Sequence, residues 1–159
     1  MGLSETGLQP RVPSMSPNAE LLSPSVLLID GFDADRRYFA EQLKRCSLDC
    51  QIIEAADGKS GLDVYRSRRI DCVVLEIVLP DQSGFEVLMN LVPRPSRPQV
   101  AAIVLTQLSH RGLWELAKQN GAYVCFFKRH TTGEDLDRAI LRAVAFVGQL
   151  TKEDRYLPI

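Results

Sequence analysis

The stretch Cys72-Val-Val-Leu-Glu-Ile-Val-Leu-Pro-Asp-Gln-Ser-Gly84 decides the fold of this chain. Its first four residues are apolar, with β-branched valines at the centre, which is typical of a strand buried on both faces of a sheet. The run ends at a carboxylate, Glu76, and Pro80 then interrupts regular structure before a helical pattern opens at Gly84. Open α/β sheets place their functional sites at the carboxyl ends of central strands. Glu76 is therefore the first candidate functional residue.

Apolar runs with the character of strands recur along the chain, and each precedes a stretch with the spacing of an amphipathic helix. The predicted strands are residues 26–29, 51–55, 72–75, 100–105 and 123–127. In the first helix, Phe39, Leu43 and Cys46 fall on one face and are expected to be buried. This alternation predicts a parallel sheet with right-handed crossovers and helices on both faces. About 125 residues for five units fit a doubly wound α/β fold with the flavodoxin-like strand order 2-1-3-4-5.

The chain divides into three parts by composition. Residues 1–24 are rich in Ser, Pro and Gly and are expected to be a flexible leader. Residues 25–150 carry the strand and helix patterns, and residues 151–159 are a polar tail. The fourth helix is expected over residues 109–120, and two alternative capping boxes precede the last helix: Thr131 with Glu134, and Thr132 with Asp135.

Composition excludes several classes of protein. The 159 residues are 45% hydrophobic and 25% charged, with a formal net charge of −1. These values are ordinary for one soluble globular domain and give no basic footprint for nucleic acid or an anionic membrane. No apolar run approaches the roughly 20 residues that cross a bilayer. The four cysteines lack the spacing of a disulfide framework or a zinc site, so a reducing, cytoplasmic setting fits best.

Polar residues follow four of the predicted strands at the point where each strand ends. In chain order they are Asp30, Glu76, Thr106 and Lys128. Because the carboxyl ends of these strands lie along one edge of the sheet, two carboxylates, a hydroxyl and an ammonium should converge there. Each alone is an ordinary polar residue at a strand end. Four at corresponding positions indicate a functional site.

This set resembles the receiver domain of two-component response regulators, and the resemblance covers nearly all of residues 25–148. The family's phospho-accepting segment is an Asp followed at fixed spacing by Pro and Gly. Here the corresponding residues are Glu76, Pro80 and Gly84. The family's acidic pair, hydroxyl residue and lysine fall, in that order, on Asp30-Gly31, Thr106 and Lys128.

The resemblance implies a signalling module and not an enzyme. Phosphoryl transfer rests on positioning and on charge stabilisation, and the family supplies these with Mg²⁺, a lysine and a hydroxyl. The implied metal ligands are Asp30, Glu76 and the carbonyl of Val78. The implied partner face comprises the fourth helix, fifth strand and fifth helix, where Trp114 and Cys125 lie. Trp114 either covers the edge of the core or anchors a partner, whereas Cys125 is favoured as a core residue.

Three departures from the family pattern weaken the phosphorylation chemistry. Glu76 replaces an aspartate, and its extra methylene moves the carboxylate by about 1.5 Å, enough to slow catalysis strongly. Gly31 stands where a metal-coordinating acid is usual, with Asp33 as a candidate substitute, so Mg²⁺ binding should be weak or absent. Arg129 replaces the proline after the lysine, so we expect a trans peptide there. We hypothesise a degenerate receiver, or pseudo-receiver, in which Glu76 pairs with the lysine and the threonine without phosphorylation.

Two other functions stay open at the level of sequence. The first is an ordinary receiver that is phosphorylated on Glu76. The second is a flavin- or nucleotide-binding enzyme on the same fold, which is disfavoured because three acids follow the first strand and would repel phosphate. The expected partner is a histidine kinase, a phosphotransfer protein or a downstream effector, with no nucleic acid or membrane. A homodimer through the partner face is a further option.

Overall fold

The computed structural model describes residues 23–46 and 50–154. Within these residues, five strands alternate with five α-helices, and a short 3₁₀ turn over Lys128–His130 follows the last strand. The strands are β1 Ser25–Ile29, β2 Gln51–Ala55, β3 Cys72–Leu75, β4 Ala101–Thr106 and β5 Val124–Phe127. The helices are α1 Asp33–Cys46, α2 Gly58–Ser67, α3 Gly84–Leu91, α4 Arg111–Gln119 and α5 Gly133–Asp154.

The sheet has the predicted architecture. All four strand pairings are parallel, and the strand order is β2-β1-β3-β4-β5. Every residue of β3 and β4 is buried, as expected for strands covered on both faces. One core cluster lies between the sheet and α2, α3 and α4, and a second lies between the sheet and α1 and α5. None of the helices within the described ranges is long and apolar enough to cross a membrane.

Several boundaries differ from the sequence prediction. Cys46 was expected on the buried face of α1 but is exposed, because the helix ends at this residue and the core contacts of its last turn are made by Leu43. The tail was expected from residue 151, yet α5 continues to Asp154. β1 begins at Ser25, the first residue of the predicted domain, and the Pro24 carbonyl before it accepts a hydrogen bond from the Gln51 N–H. The rest of the predicted leader, residues 1–22, lies outside the described residues, as do residues 155–159 of the tail.

Local contacts fix the loop that carries Glu76. A Cβ on Gly84 would lie 2.5 Å from the Glu76 carbonyl oxygen, so only glycine allows α3 to start this close to the end of β3. In the same loop, the carboxylate of Asp81 accepts the N–H groups of Gly58 and Lys59, each at 2.9 Å. These bonds satisfy free donors in the first turn of α2. The loop after β3 is thereby tied to two helices.

Of the two capping boxes proposed for the last helix, the second is the one that forms. The Asp135 N–H donates to Thr132 Oγ1 at 3.1 Å, and the Thr132 N–H donates to Asp135 Oδ2 at 3.1 Å. This reciprocal pair orients α5 directly after the 3₁₀ turn that begins at Lys128.

Candidate functional site

The four residues predicted at strand ends come together at one edge of the sheet. Asp30 and Glu76 directly follow β1 and β3, Thr106 ends β4, and Lys128 directly follows β5. Asp30, Glu76 and Thr106 are the principal buried polar residues of the sheet edge, each no more than 6% exposed. Polar groups buried to this degree require partners, and the described residues contain no buried side-chain nitrogen or oxygen without one.

The Glu76 carboxylate lies at the centre and accepts four hydrogen bonds. Its Oε1 atom accepts from the Thr106 hydroxyl at 2.5 Å and from the Val78 N–H at 3.0 Å. Its Oε2 atom accepts from the Gln107 N–H at 3.1 Å and from Lys128 Nζ at 2.9 Å. Two backbone donors, one hydroxyl and one ammonium therefore all point at a single side chain. The charge of a buried carboxylate is stabilised by such a set of donors.

Lys128 is held between three carboxylates. Its Nζ atom lies 2.7 Å from Asp30 Oδ2, 2.9 Å from Glu76 Oε2 and 3.0 Å from Asp35 Oδ2. Sequence reasoning missed Asp35, which lies in the first turn of α1 and reaches the site across the loop after β1. Its spacing of five residues from Asp30 was the available signal. The Lys128 ammonium also lies 4.8 Å from the centre of the Phe32 ring, within cation–π range.

Burial and pairing set the protonation of this network. Burial disfavours the charge of Lys128, but hydrogen bonds to Asp30, Glu76 and Asp35 outweigh that cost and raise its pKa above the ordinary value. The pKa of Asp30 is also raised, first because of burial and also because of the nearby Glu76 charge, although Lys128 and the Phe32 N–H act against this. The two directions have different causes: burial raises the pKa of Asp30, whereas the three carboxylates raise the pKa of Lys128.

The arrangement does not fit the magnesium site that the resemblance implied. Of the implied ligands, Glu76 has both oxygens engaged with donors, and the N–H of Val78 points at that carboxylate. The Lys128 ammonium lies between Asp30 and Glu76, where a divalent cation would have to bind both. Asp33, the candidate substitute, is exposed and paired with Arg36 at 2.8 Å. Among the described residues, no group of three or more His, Cys, Asp or Glu side chains is arranged to hold a metal ion.

Gly31 is also constrained by its surroundings. A Cβ on Gly31 would lie 2.8 Å from Cδ of Pro80, a ring atom that cannot move freely. An acidic side chain at this position would therefore displace the loop after β3. The peptide after Lys128 is trans, as expected, because the described residues contain no cis peptide bond.

The two residues assigned to the partner face differ in exposure. Cys125 is fully buried in the core, and burial raises the pKa of its thiol to about 11. It therefore presents no surface to a partner, in line with the favoured core interpretation. Trp114 is 41% exposed and stacks on Phe127 with ring centres 6.3 Å apart. The Lys118 ammonium also lies over the Trp114 ring, with Nζ 5.5 Å from the ring centre.

The sequence model described as "Response regulator receiver domain" matches residues 26–140. Response regulator Rcp1 of Synechocystis is 25% identical over 122 residues, covering 72% of this chain and 82% of that protein. The transcriptional regulatory protein AfsQ1 of Streptomyces coelicolor is 41% identical over 68 residues, covering 43% of this chain. The match spans only 29% of the length of AfsQ1, and another spans 24% of a probable cyclic di-GMP phosphodiesterase of Vibrio cholerae.

Solved structures show the same fold. A receiver domain from Methanospirillum hungatei superposes with a TM-score of 0.69 at 20% identity, covering 82% of this chain and 98% of that one. A receiver domain from Clostridium thermocellum superposes with a TM-score of 0.69 at 24% identity, covering 80% of this chain and 98% of that one.

Proposed function

Because this chain belongs to the response regulator receiver family, we propose that it is a receiver of two-component signalling that works in one fixed state without phosphorylation. The observation that supports this proposal is the saturation of Glu76. All four donors around its carboxylate are engaged, and the side chain is fully shielded from solvent. A carboxylate in this condition offers no free oxygen to attack a phosphodonor.

The length of the Glu76 side chain explains the saturation. A glutamate carries its carboxylate about 1.5 Å further from the backbone than an aspartate does. In a phosphorylated receiver, the phosphoryl oxygens extend beyond the aspartate and meet a lysine and a hydroxyl. Glu76 meets Lys128 and Thr106 directly, at 2.9 Å and 2.5 Å. The carboxylate oxygens thus take the hydrogen bonds that a phosphoryl group would otherwise receive.

Such a receiver acts through protein contacts and not through chemistry of its own. The proposed partner is a histidine kinase, a phosphotransfer protein or a downstream effector, bound through the partner face. Trp114 is the proposed anchor, because a half-exposed aromatic ring supported from beneath by Phe127 is typical of residues that dominate interfaces. A second copy of the chain is an alternative occupant of this face. The proposed location is cytoplasmic, in keeping with four free cysteines.

The experiment that tests this function compares three proteins incubated with a small phosphodonor and Mg²⁺, followed by intact mass measurement. The wild type should gain no phosphoryl group. Glu76→Asp shortens the side chain and should restore some acyl phosphate. A double variant with Gly31→Asp should gain more only if the loop at Pro80 can move.

The same experiment separates the proposal from an ordinary receiver. Stoichiometric acyl phosphate on wild-type Glu76 would refute it. Thr106→Val in the Glu76→Asp background serves as the matched control, because it removes a group that binds phosphoryl oxygens in the family.

A further inference from the structure

A second charged surface lies at the end of the sheet opposite Glu76. Helices α2 and α3 end there, and the loops that follow them enter the adjacent strands β3 and β4, which pair at Cys72 and Ala101. Neighbouring strands lie about 4.8 Å apart, so the two loops run side by side. The last turn of α2 and these two loops carry five exposed arginines: Arg66, Arg68, Arg69, Arg94 and Arg97.

Positive charge is in excess on this surface. The loops contain one carboxylate, Asp71, which accepts the Ser25 N–H at 2.8 Å and lies 3.6 Å from Nε of Arg69. Within residues 23–46 and 50–154, no ion pair is formed by the other four arginines. This local excess stands out in a chain whose formal net charge is −1. Apart from Asp71, the described residues thus provide no ion-pair partner for these five arginines.

Two of these arginines border a cleft of about 260 Å³. Arg94 and Arg97 form one side, and Tyr65 and Asn90 face the same space from α2 and α3. The Arg97 N–H donates to the Arg94 carbonyl at 2.9 Å, which closes a turn between them. Prolines at positions 93, 95 and 98 restrict the loop further. A stiff loop loses little entropy when it binds a ligand.

The helix dipole does not account for these two arginines. Basic residues in the last turn of a helix stabilise its C-terminus, and Arg66 does so for α2. The last turn of α3 has no basic residue, and Arg94 and Arg97 lie beyond its C-cap, Val92. The dipole effect falls off within the last turn. The helix dipole therefore does not explain why Arg94 and Arg97 lie around the cleft.

We propose that this arginine cleft, formed by Tyr65, Asn90, Arg94 and Arg97, docks an acidic segment of a protein partner. Guanidinium groups bind carboxylates through two parallel hydrogen bonds, which suits glutamate and aspartate side chains. The exposed ring of Pro93 adds an apolar surface that a peptide can pack against. Nucleic acid binding requires a longer track of cations along the phosphate backbone. The cleft is at the far end of the sheet from Glu76, so the proposal is independent of phosphorylation.

The test measures fluorescence anisotropy of a labelled octaglutamate peptide with the full chain at about 0.15 M salt, where the Debye length is about 8 Å. Arg94→Gln with Arg97→Gln should weaken binding about tenfold, since two charge-assisted contacts are lost. The matched control is Arg111→Gln with Arg142→Gln, which removes the same charge from exposed positions on α4 and α5. The control should change binding less than about twofold, as expected for distant surface charges.

Three outcomes would overturn the proposal. One is no binding of the peptide to the wild type at millimolar concentration. Another is an equal loss in both double variants, which would indicate a response to net charge alone. The third is tighter binding of a short thymidine strand, or of vesicles containing anionic lipid, through the same arginines. Glu76→Asp should bind the peptide as the wild type does, so a failure here is distinct from a failure of the proposed function.

Discussion

The Nζ atom of Lys128 lies 2.9 Å from Oε2 of Glu76, and the two side chains are only 8% and 0% exposed to solvent. A buried ion pair of this kind is not by itself a source of stability, because removing both charges from water is costly. Removing one partner is different, since it leaves the other charge buried and under-compensated. The pair therefore holds the strand ends in one arrangement, and changes to either residue should have large effects.

Glu76→Gln should lower the free energy of unfolding by about 2–4 kcal/mol. The amide NH₂ group would take the place of one carboxylate oxygen and could not accept hydrogen bonds there. It would face two donors, which are Thr106 and Val78 at one oxygen position or Gln107 and Lys128 at the other. Urea denaturation measures the loss. Glu86→Gln, an exposed change on α3, is the matched control and should stay within about 0.5 kcal/mol. Equal effects of the two changes would contradict a central role for the Glu76 contacts.

Lys128→Met should create a response to divalent cations that the wild type lacks. Without the ammonium, the carboxylates of Asp30, Asp35 and Glu76, whose oxygens lie within 3.0 Å of the Nζ position, would repel one another and could close on a divalent cation, because Mg²⁺ prefers oxygen ligands. Thermal unfolding of the variant should then shift upward by several degrees at millimolar Mg²⁺, because ligand binding to the folded state stabilises it. Asp35→Asn in the variant should reduce the shift. A comparable shift in the wild type would show that Lys128 does not exclude the cation.

Stability should fall at alkaline pH as Lys128 loses its proton. Its pKa is raised in the folded state above the ordinary 10.5, so its contribution is fully present below pH 10.5. The contribution is then lost as the pH rises through the folded-state value. Urea unfolding across this range should show a steeper decline for the wild type than for Lys128→Met. Stability that declines equally with pH in the two proteins would refute the assignment of this loss to Lys128. The control variant, Lys152→Met, should follow the wild type.

Trp114→Ala should weaken binding of the signalling partner while leaving the domain folded. The ring is 41% exposed and stacks on Phe127, so its loss removes partner contact area without opening the core. Pull-down from the native host, followed by affinity measurement with the recovered partner, checks this. Met89→Ala, at an exposed apolar position on α3 and outside the partner face, is the control. Unchanged affinity would show that Trp114 only covers the edge of the core.

The fold was predictable because its signals are local and repeated. Runs such as Val26–Ile29 and Cys72–Leu75 are apolar throughout, and helix starts and stops follow from capping residues and glycines. The prediction was wrong at the ends of helices, because the local sequence pattern does not indicate how those ends pack. Cys46 has the spacing of a buried residue, but it is the last residue of α1 and its side chain is exposed.

The candidate site was predictable where a residue ends a strand. Asp30, Glu76, Thr106 and Lys128 were found this way, because topology alone brings strand ends together. Asp35 was missed because a helix residue reaches the site through its side chain, and its direction depends on how α1 packs. The direction of Asp33, the candidate substitute ligand, was not predictable for the same reason: its side chain pairs with Arg36.

Amide NMR of the wild type before and after addition of a phosphodonor and Mg²⁺ tests the central claim most directly. The Val78 and Gln107 N–H groups report on the Glu76 carboxylate, to which both donate. If Glu76 already fixes the site, both resonances should keep their positions under all conditions. A shift of both signals to a second state, accompanied by a mass increase of one phosphoryl group, would contradict a receiver that works without phosphorylation.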